Sequence, residues 1–129
     1  MKIVILIPVF NDWQSVYKLL ENINSEVSSL DHEFSVIIIN DASTEANPGL
    51  SNNLDHLSFI KIFNMKENLG HARCNAAGLK HIFENEEFDY VIPMDGDGED
   101  RPEEIRQLVD NLNYHPDKPI VGERIKRSE

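Results

Sequence analysis

Apolar positions along the chain follow two alternating patterns. Ile3-Val-Ile-Leu-Ile-Pro-Val-Phe10 is a continuous apolar run, the pattern of a strand covered on both faces. From Asp12 the period changes. Trp13, Val16, Tyr17, Leu20, Ile23 and Val27 recur at helical spacing, with Asn11 or Asp12 placed as the cap. Phe34 to Ile39 is a second buried strand ending in Asn40-Asp41, and a turn-rich loop follows through Ser43, Asn47, Pro48 and Gly49. Phe59 to Phe63 predicts a third strand. Ala72 to Phe83 reads as a helix in spite of Gly78, entered through Asn68-Leu-Gly70. Tyr90 to Met94 predicts the fourth strand. Pro102 then starts a helix with Ile105, Leu108, Val109 and Leu112 on one face. Pro119-Ile-Val-Gly122 fits a short fifth strand.

This β-α-β-α order predicts a mainly parallel sheet with helices on both faces. In such sheets ligands bind outside the carboxyl ends of the strands. The candidate polar groups fall at that edge. Asn11 and Asp12 follow the first strand, Asn40 and Asp41 the second, Asn68 and Gly70 the third, and Asp95 and Asp97 the fourth.

Asp95 and Asp97 carry the clearest chemistry. Two carboxylates held one residue apart at the end of a buried strand repel each other unless a cation neutralises them. Oxygen-only ligands suit Mg²⁺ or Mn²⁺, and Mg²⁺ commonly completes its shell with waters and phosphate oxygens. A solvated acidic turn is the plainer alternative. A calcium EF-hand loop fails on counting: from Asp95, its sixth position is Asp100 where Gly is required, and its twelfth is Arg106 where Glu is required.

Composition narrows the partners. Lys and Arg total 12 against 23 Asp and Glu, a net charge of −11, which argues against nucleic acid. An anionic nucleotide stays open, since a bound divalent metal reverses the local charge. The 129 residues predict one domain, 1–129. Cys74 is the lone cysteine, so no disulfide framework exists and a reducing compartment is expected. The apolar run at Ile3–Phe10 is too short to span a membrane and is followed by Asn11-Asp12 in place of a small-residue cleavage site, so the chain reads as soluble and unprocessed, and with its reducing compartment as cytoplasmic. Neither G-x-G-x-x-G after the first strand nor a P-loop is present. A receiver-like signalling domain matches in length and order. The chain, however, has only Asp12 where such domains carry an acid pair after the first strand, and no Asp or Lys matches their acceptor after the third strand or their Lys after the fifth.

Four segments together resemble the amino-terminal half of glycosyltransferase family 2 enzymes. Ile7-Pro-Val-Phe-Asn-Asp12 is similar to the family's Pro-x-(Tyr/Phe)-Asn-Glu motif, and Ile39-Asn-Asp-Ala-Ser-Thr-Glu45 to its Val-Asp-Asp-Gly-Ser-Thr-Asp segment. Asn68-Leu-Gly-His-Ala-Arg-Cys-Asn-Ala-Ala-Gly-Leu79 and Met94-Asp-Gly-Asp-Gly-Glu-Asp-Arg-Pro-Glu-Glu104 look most like the polyprenyl-phosphate branch. Val121-Gly-Glu-Arg-Ile-Lys-Arg127 is also similar to that branch.

The resemblance implies a GT-A, Rossmann-like α/β fold, here the donor-binding half and incomplete at its C-terminus. It implies inverting transfer from a UDP- or GDP-linked sugar to a polyprenyl-phosphate or glycan acceptor in cell-envelope polysaccharide synthesis, at the cytoplasmic face of the membrane. Pro8, Phe10 and Asp12 match positions that line the nucleoside pocket, and Asp41 matches the acid that contacts the base. Asn68 and Gly70 match the loop near the nucleoside, and Arg73 is a candidate phosphate partner. Asp95 and Asp97 match the metal pair, and Glu99 sits where dolichol-phosphate mannose synthases place a third ligand, a Gln. No catalytic base is identified, and a phosphate acceptor needs none.

The sequence departs from the family at Asn40, which replaces an acid, at Asp12, which replaces a Glu, and at Ala42, which replaces a Gly. A non-catalytic nucleotide- or metal-binding module is the competing reading. Cys74 reads as a core filler, and Arg124, Lys126 and Arg127 form the basic cluster of an acidic chain. An unpaired sheet edge would favour a homo-oligomer.

Overall fold

The computed structural model describes residues 1–49, 54–95 and 104–114. The elements run β1 (Lys2–Val9), α1 (Trp13–Val27), β2 (Glu33–Asn40), β3 (Leu57–Asn64), α2 (His71–Asn85), β4 (Tyr90–Pro93) and α3 (Glu104–Tyr114). Each stands within a few residues of the position its apolar pattern predicts. The expected strand at Pro119–Gly122 and the basic cluster lie outside the described residues.

The four strands are parallel and ordered β3-β2-β1-β4. β1 runs along β2 from Lys2–Glu33 to Val9–Asn40, whereas β4 pairs with β1 only from Ile3–Tyr90 to Leu6–Pro93. The continuous apolar runs of β1 and β2 are explained by burial on both faces. Ile3, Ile5, Ile7 and Val9 pack with the apolar stripe of α1 and with Ile105 and Val109 of α3. Val4 and Leu6 point the other way, toward Cys74 and Ile82 of α2. Successive side chains of a strand alternate faces, so one apolar run serves both layers. The expected parallel sheet with helices on both faces is the one found.

Gly78 sits where α2 comes nearest the sheet. A Cβ placed on it would stand 2.6 Å from Leu6 Cδ1 and 3.1 Å from Ile39 Cγ1. The glycine that weakens the helical pattern in the sequence is what lets α2 approach β1 and β2.

Candidate functional site

Strand order places a topological switch point beside β1: β2 and β3 extend to one side and β4 to the other. Ligands in such sheets bind outside the carboxyl ends of the strands, so the edge beyond β1 and β4 is the candidate position. The backbone of β1 shows where the strands part. The amide of Met94 donates to the Leu6 carbonyl at 2.9 Å, so the even-numbered residues of β1 direct their backbone groups at β4. Pro8 is next in that set. Its missing N–H faces the side where the ladder has ended, which is why a proline is tolerated in a central strand. Asp95, half-buried, comes directly after this last rung.

At the end of β1, Phe10 is 42 % exposed, an uncommon position for a large aromatic ring on this molecule. Asp12 is also exposed and occupies the N-cap position of α1. The capping expectation needs correction here. Asp12 makes no side-chain cap bond, and the first turn is closed by backbone bonds, Trp13 N–H to the Asn11 carbonyl at 2.9 Å and Val16 N–H to the Asp12 carbonyl at 3.2 Å.

Asn11 is committed elsewhere. It has φ of 65°, a left-handed conformation that Asn accepts more readily than most residues. Its backbone N–H donates to Ser43 Oγ at 2.9 Å, and its Oδ1 accepts the Glu45 N–H at 2.9 Å. Its Nδ2 donates to Thr44 Oγ1 at 3.0 Å. The residue therefore ties the loop after β1 to the loop after β2. Trp13 Nε1 adds a bond to the Glu45 carbonyl at 3.3 Å. A cleft of about 580 Å³ opens between these loops, lined by Asp12, Trp13, Gln14 and Pro48 among others.

Asn40 shows what its departure from an acid does. Its Oδ1 accepts the Ser43 N–H at 3.0 Å while its Nδ2 donates to Asn64 Oδ1 at 2.8 Å. A carboxylate has no hydrogen to make the second bond. Ala42, at the position where the family uses glycine, has φ of 56°. That conformation costs a residue with a Cβ roughly 1–2 kcal/mol.

Asp41 is deeply buried, at 1 % exposure. Its oxygens accept the Leu69 N–H at 2.7 Å and the Gly70 N–H at 2.9 Å, and its carbonyl accepts Asn68 Nδ2 at 3.2 Å. The Cys74 thiol hydrogen-bonds to the same carboxylate. Burial, and then this bond and charge, push the Cys74 thiol up to about 12. Asp41, Asn68 and Gly70 are thus brought into direct contact. Gly70 has φ of 87° and leads into α2, and Arg73 is exposed on that helix's first turn.

The expected metal ligands are represented by Asp95, since Asp97 and Glu99 lie outside the described residues. Among the described residues no group of three or more His, Cys, Asp or Glu side chains is placed to hold a metal. Asp95 supplies a hard oxygen at the end of β4, the donor type that Mg²⁺ or Mn²⁺ takes, so the residue fits the group.

A larger cleft, about 850 Å³, opens at the opposite, amino-terminal edge of the sheet. Asp31, Glu33, Glu86, Glu87 and Asp89 line it, with Lys2 paired to Glu87 at 2.7 Å. That much negative charge repels a diphosphate, and the strand ends there are the wrong ones for the rule above. Size alone does not make it the site.

A parallel α/β sheet with polar residues after the carboxyl ends of its strands is an architecture shared by many nucleotide-binding folds. The family model for glycosyl transferase family 2 matches residues 4–129, and the chain belongs to that family. It is 26 % identical over 129 residues to dodecaprenyl-phosphate galacturonate synthase of Rhizobium johnstonii, with 97 % of this chain and 36 % of that protein covered. It is 31 % identical over 108 residues to undecaprenyl-phosphate 4-deoxy-4-formamido-L-arabinose transferase of Pseudomonas syringae pv. syringae, covering 81 % of this chain and 31 % of the relative. The chain thus spans about a third of the length of these curated relatives. Among solved structures, S. aureus TarS superposes with a TM-score of 0.65 at 20 % identity, covering 89 % of this chain and 20 % of TarS. The fold is the GT-A type of α/β architecture expected from the resemblance.

Proposed function

We propose that this chain binds the nucleotide-diphosphate sugar donor of an inverting glycosyltransferase, which passes the sugar to a polyprenyl-phosphate or glycan acceptor. The observation that carries this reading is the carboxyl edge of the sheet, where Phe10 and Asp12 follow β1 and Asp95 follows the adjacent strand β4.

Each residue has a task in it. Pro8 lets β1 run on past the last rung with β4, so the chain at Phe10 is free to diverge. Phe10 offers an exposed ring for stacking against the nucleoside, and Asp12 offers acceptors for ribose or base hydroxyl and amine groups. In this reading Asn68 and Gly70 border the nucleoside, and Arg73, exposed on the first turn of α2, pairs with phosphate. Asp95, with Asp97 and Glu99, would hold Mg²⁺ or Mn²⁺. When bound, the metal neutralises negative charge that builds on the departing diphosphate.

In the reaction, an acceptor oxygen forms a bond to the anomeric carbon from the face opposite the diphosphate. The bond from that carbon to the diphosphate oxygen breaks with its electron pair, and the nucleoside diphosphate leaves. One displacement inverts the carbon. A phosphate acceptor is already anionic at neutral pH and has no proton to lose.

The names of the two prenyl-phosphate relatives support a lipid-phosphate acceptor; such a lipid sits in a membrane, and this reading puts the chain at its cytoplasmic face. No described helix is long and apolar enough to cross a membrane. β3 and β4 are the outer strands of the sheet among the described residues, and the outer edge of β3 is a place where a second copy could add a strand, which supports self-association.

Thermal melting with UDP or GDP, each with and without Mn²⁺, tests the reading. A ligand that binds only the folded state raises the melting temperature by mass action. Metal-dependent stabilisation by one nucleotide, lost in an Asp95→Asn, Asp97→Asn double variant, is the expected result. No shift with either nucleotide would refute it.

A further inference from the structure

β3 is the outer strand on one side of the sheet, and its outer edge has no partner strand among the described residues. The backbone fixes which groups that edge offers. The Met65 N–H donates to the Asn40 carbonyl at 2.8 Å, and Ile60 to Asn64 pair in regular register with Val36 to Asn40 of β2. Successive residues of a strand turn their backbone groups to opposite sides. Lys61 and Phe63 therefore bond to β2, while Ile60, Ile62 and Asn64 direct N–H and C=O away from the sheet. Before Ile60 a register shift interrupts the ladder, which confines the regular edge to this stretch.

The side chains along the edge are apolar on both faces and only half covered. Phe59 and Phe63 pack on the side of α2, with Cys74 and Ile82, and Ile60 and Ile62 pack on the side of α1. A lysine on an edge strand commonly guards it against pairing. Lys61 is drawn aside here. Its Nζ bonds to Glu86 Oε2 at 2.9 Å and stands 4.6 Å from the centroid of the Phe59 ring.

We propose that this edge is an interface for a second copy of the chain, with the two β3 strands antiparallel about a twofold axis at Lys61. In such a pair each residue faces one equally far beyond the axis. Ile60 then meets Ile62 of the second copy, and the two exchange their outward N–H and C=O groups. Phe59 meets Phe63 of the second copy on the α2 face. Apolar meets apolar on both faces of the joined sheet. Moving the axis to Ile62 sets Ile60 opposite Asn64, and moving it to Ile60 sets Ile62 opposite Ser58. This self-match at one register selects a second copy as the occupant. β1 and β4 lie on the far side of β2, so the interface leaves Phe10, Asp12 and Asp95 uncovered. The inference gives the self-association reading a surface and a register, and it stands without donor binding.

Sedimentation equilibrium of the full chain over a dilution series, with amide hydrogen exchange at its two ends, is the test. The mass should rise with concentration from 14.8 kDa to twice that value. Exchange at Ile60 and Ile62 should slow by about tenfold or more in the dimer. Lys61 and Phe63 should be protected at both ends of the series by their bonds to β2. Ile62→Pro removes a donor that makes no bond within the sheet, and should weaken the dimer by about tenfold or more while β1 and β2 stay protected.

A mass of 14.8 kDa throughout overturns the dimer, and self-association with it. A dimer in which Ile60 and Ile62 exchange freely, or which Ile62→Pro leaves at full strength, overturns this interface alone. Protection of both amides in the monomer means that another part of the same chain covers the edge, and overturns it too. Exchange in the unmodified protein decides even where the proline variant does not fold. None of these readings uses a nucleotide, so failure here and failure of the donor site are told apart.

Discussion

Gly78 of α2 lies so close to Leu6 of β1 that a Cβ on the glycine would stand 2.6 Å from Leu6 Cδ1. Leu6 is fully buried, so its methyl group has no open space to swing into. Alanine at this position gains about 1 kcal/mol of helix propensity, but overpacking a tight core costs about 1–3 kcal/mol. Gly78→Ala is therefore expected to destabilise by about 1 kcal/mol in chemical denaturation. Combining it with Leu6→Val should recover part of that loss, visible as a favourable coupling in the double-mutant cycle. A stabilised single variant would mean that α2 does not pack this closely.

Ala42 gives the opposite expectation. Its φ of 56° suits glycine, and relief of the Cβ strain outweighs the extra freedom that glycine has in the unfolded chain. Ala42→Gly should raise stability by about 0.5–1 kcal/mol. A loss of stability on equilibrium unfolding would show that the left-handed turn is absent.

Asn11 combines a left-handed backbone with a side chain that ties two loops together. Asn11→Gly keeps the backbone and removes the tie, at a cost of about 1 kcal/mol. Asn11→Ala removes both and should cost about 1 kcal/mol more. Equal losses in the two variants, measured by urea unfolding, would mean that the backbone conformation contributes nothing.

Cys74 makes stability depend on alkaline pH. Its folded-state thiol is pushed up to about 12, whereas a thiol in an unfolded chain titrates near about 8.5. Between those values the folded state holds a proton that the unfolded state has lost. The contribution is complete below about pH 8.5 and is lost progressively as pH rises toward 12. The stability difference between the native protein and Cys74→Ala should shrink across that window, other groups cancelling in the comparison. The same burial predicts that a thiol reagent labels Cys74 only on unfolding.

Much of this fold was legible in the pattern of apolar residues, because burial on both faces leaves continuous runs such as Ile3–Val9 and Phe34–Ile39 that few other structures produce. The amphipathic stripe of α1 was equally plain from Trp13 to Val27. Strand order was not legible, since local pattern does not say that β4 crosses to the far side of β1. The backbone conformations of Asn11 and Ala42 were hidden for a related reason. Both are imposed by loops that meet only after the sheet forms. Gly78 looked like a weakness in a helix until Leu6 and Ile39 came to lie opposite it.

The site was partly legible. Acids and amides after the strands pointed to one edge of the sheet, and the described ones do gather at its carboxyl edge, while four family-like segments sharpened the expectation. What Asn11 does was not legible, because a polar residue after a strand reads the same whether it faces a ligand or bonds to a neighbouring loop. The alternation of Asn40, Ser43 and Thr44 with short side chains was the one available hint of a bonded loop, since such residues often accept or donate to nearby backbone.

Nuclear magnetic resonance with Mn²⁺ and nucleotide distinguishes the two ends of the sheet. The paramagnetic ion broadens amide signals of residues near it. Nucleotide-dependent broadening should appear at Phe10, Asn11, Asp12 and Asp95, while Asp31, Glu33, Glu87 and Asp89 at the opposite edge keep their intensity. Nucleotide-dependent broadening confined to that opposite acidic cleft would contradict a donor site at the carboxyl ends of β1 and β4.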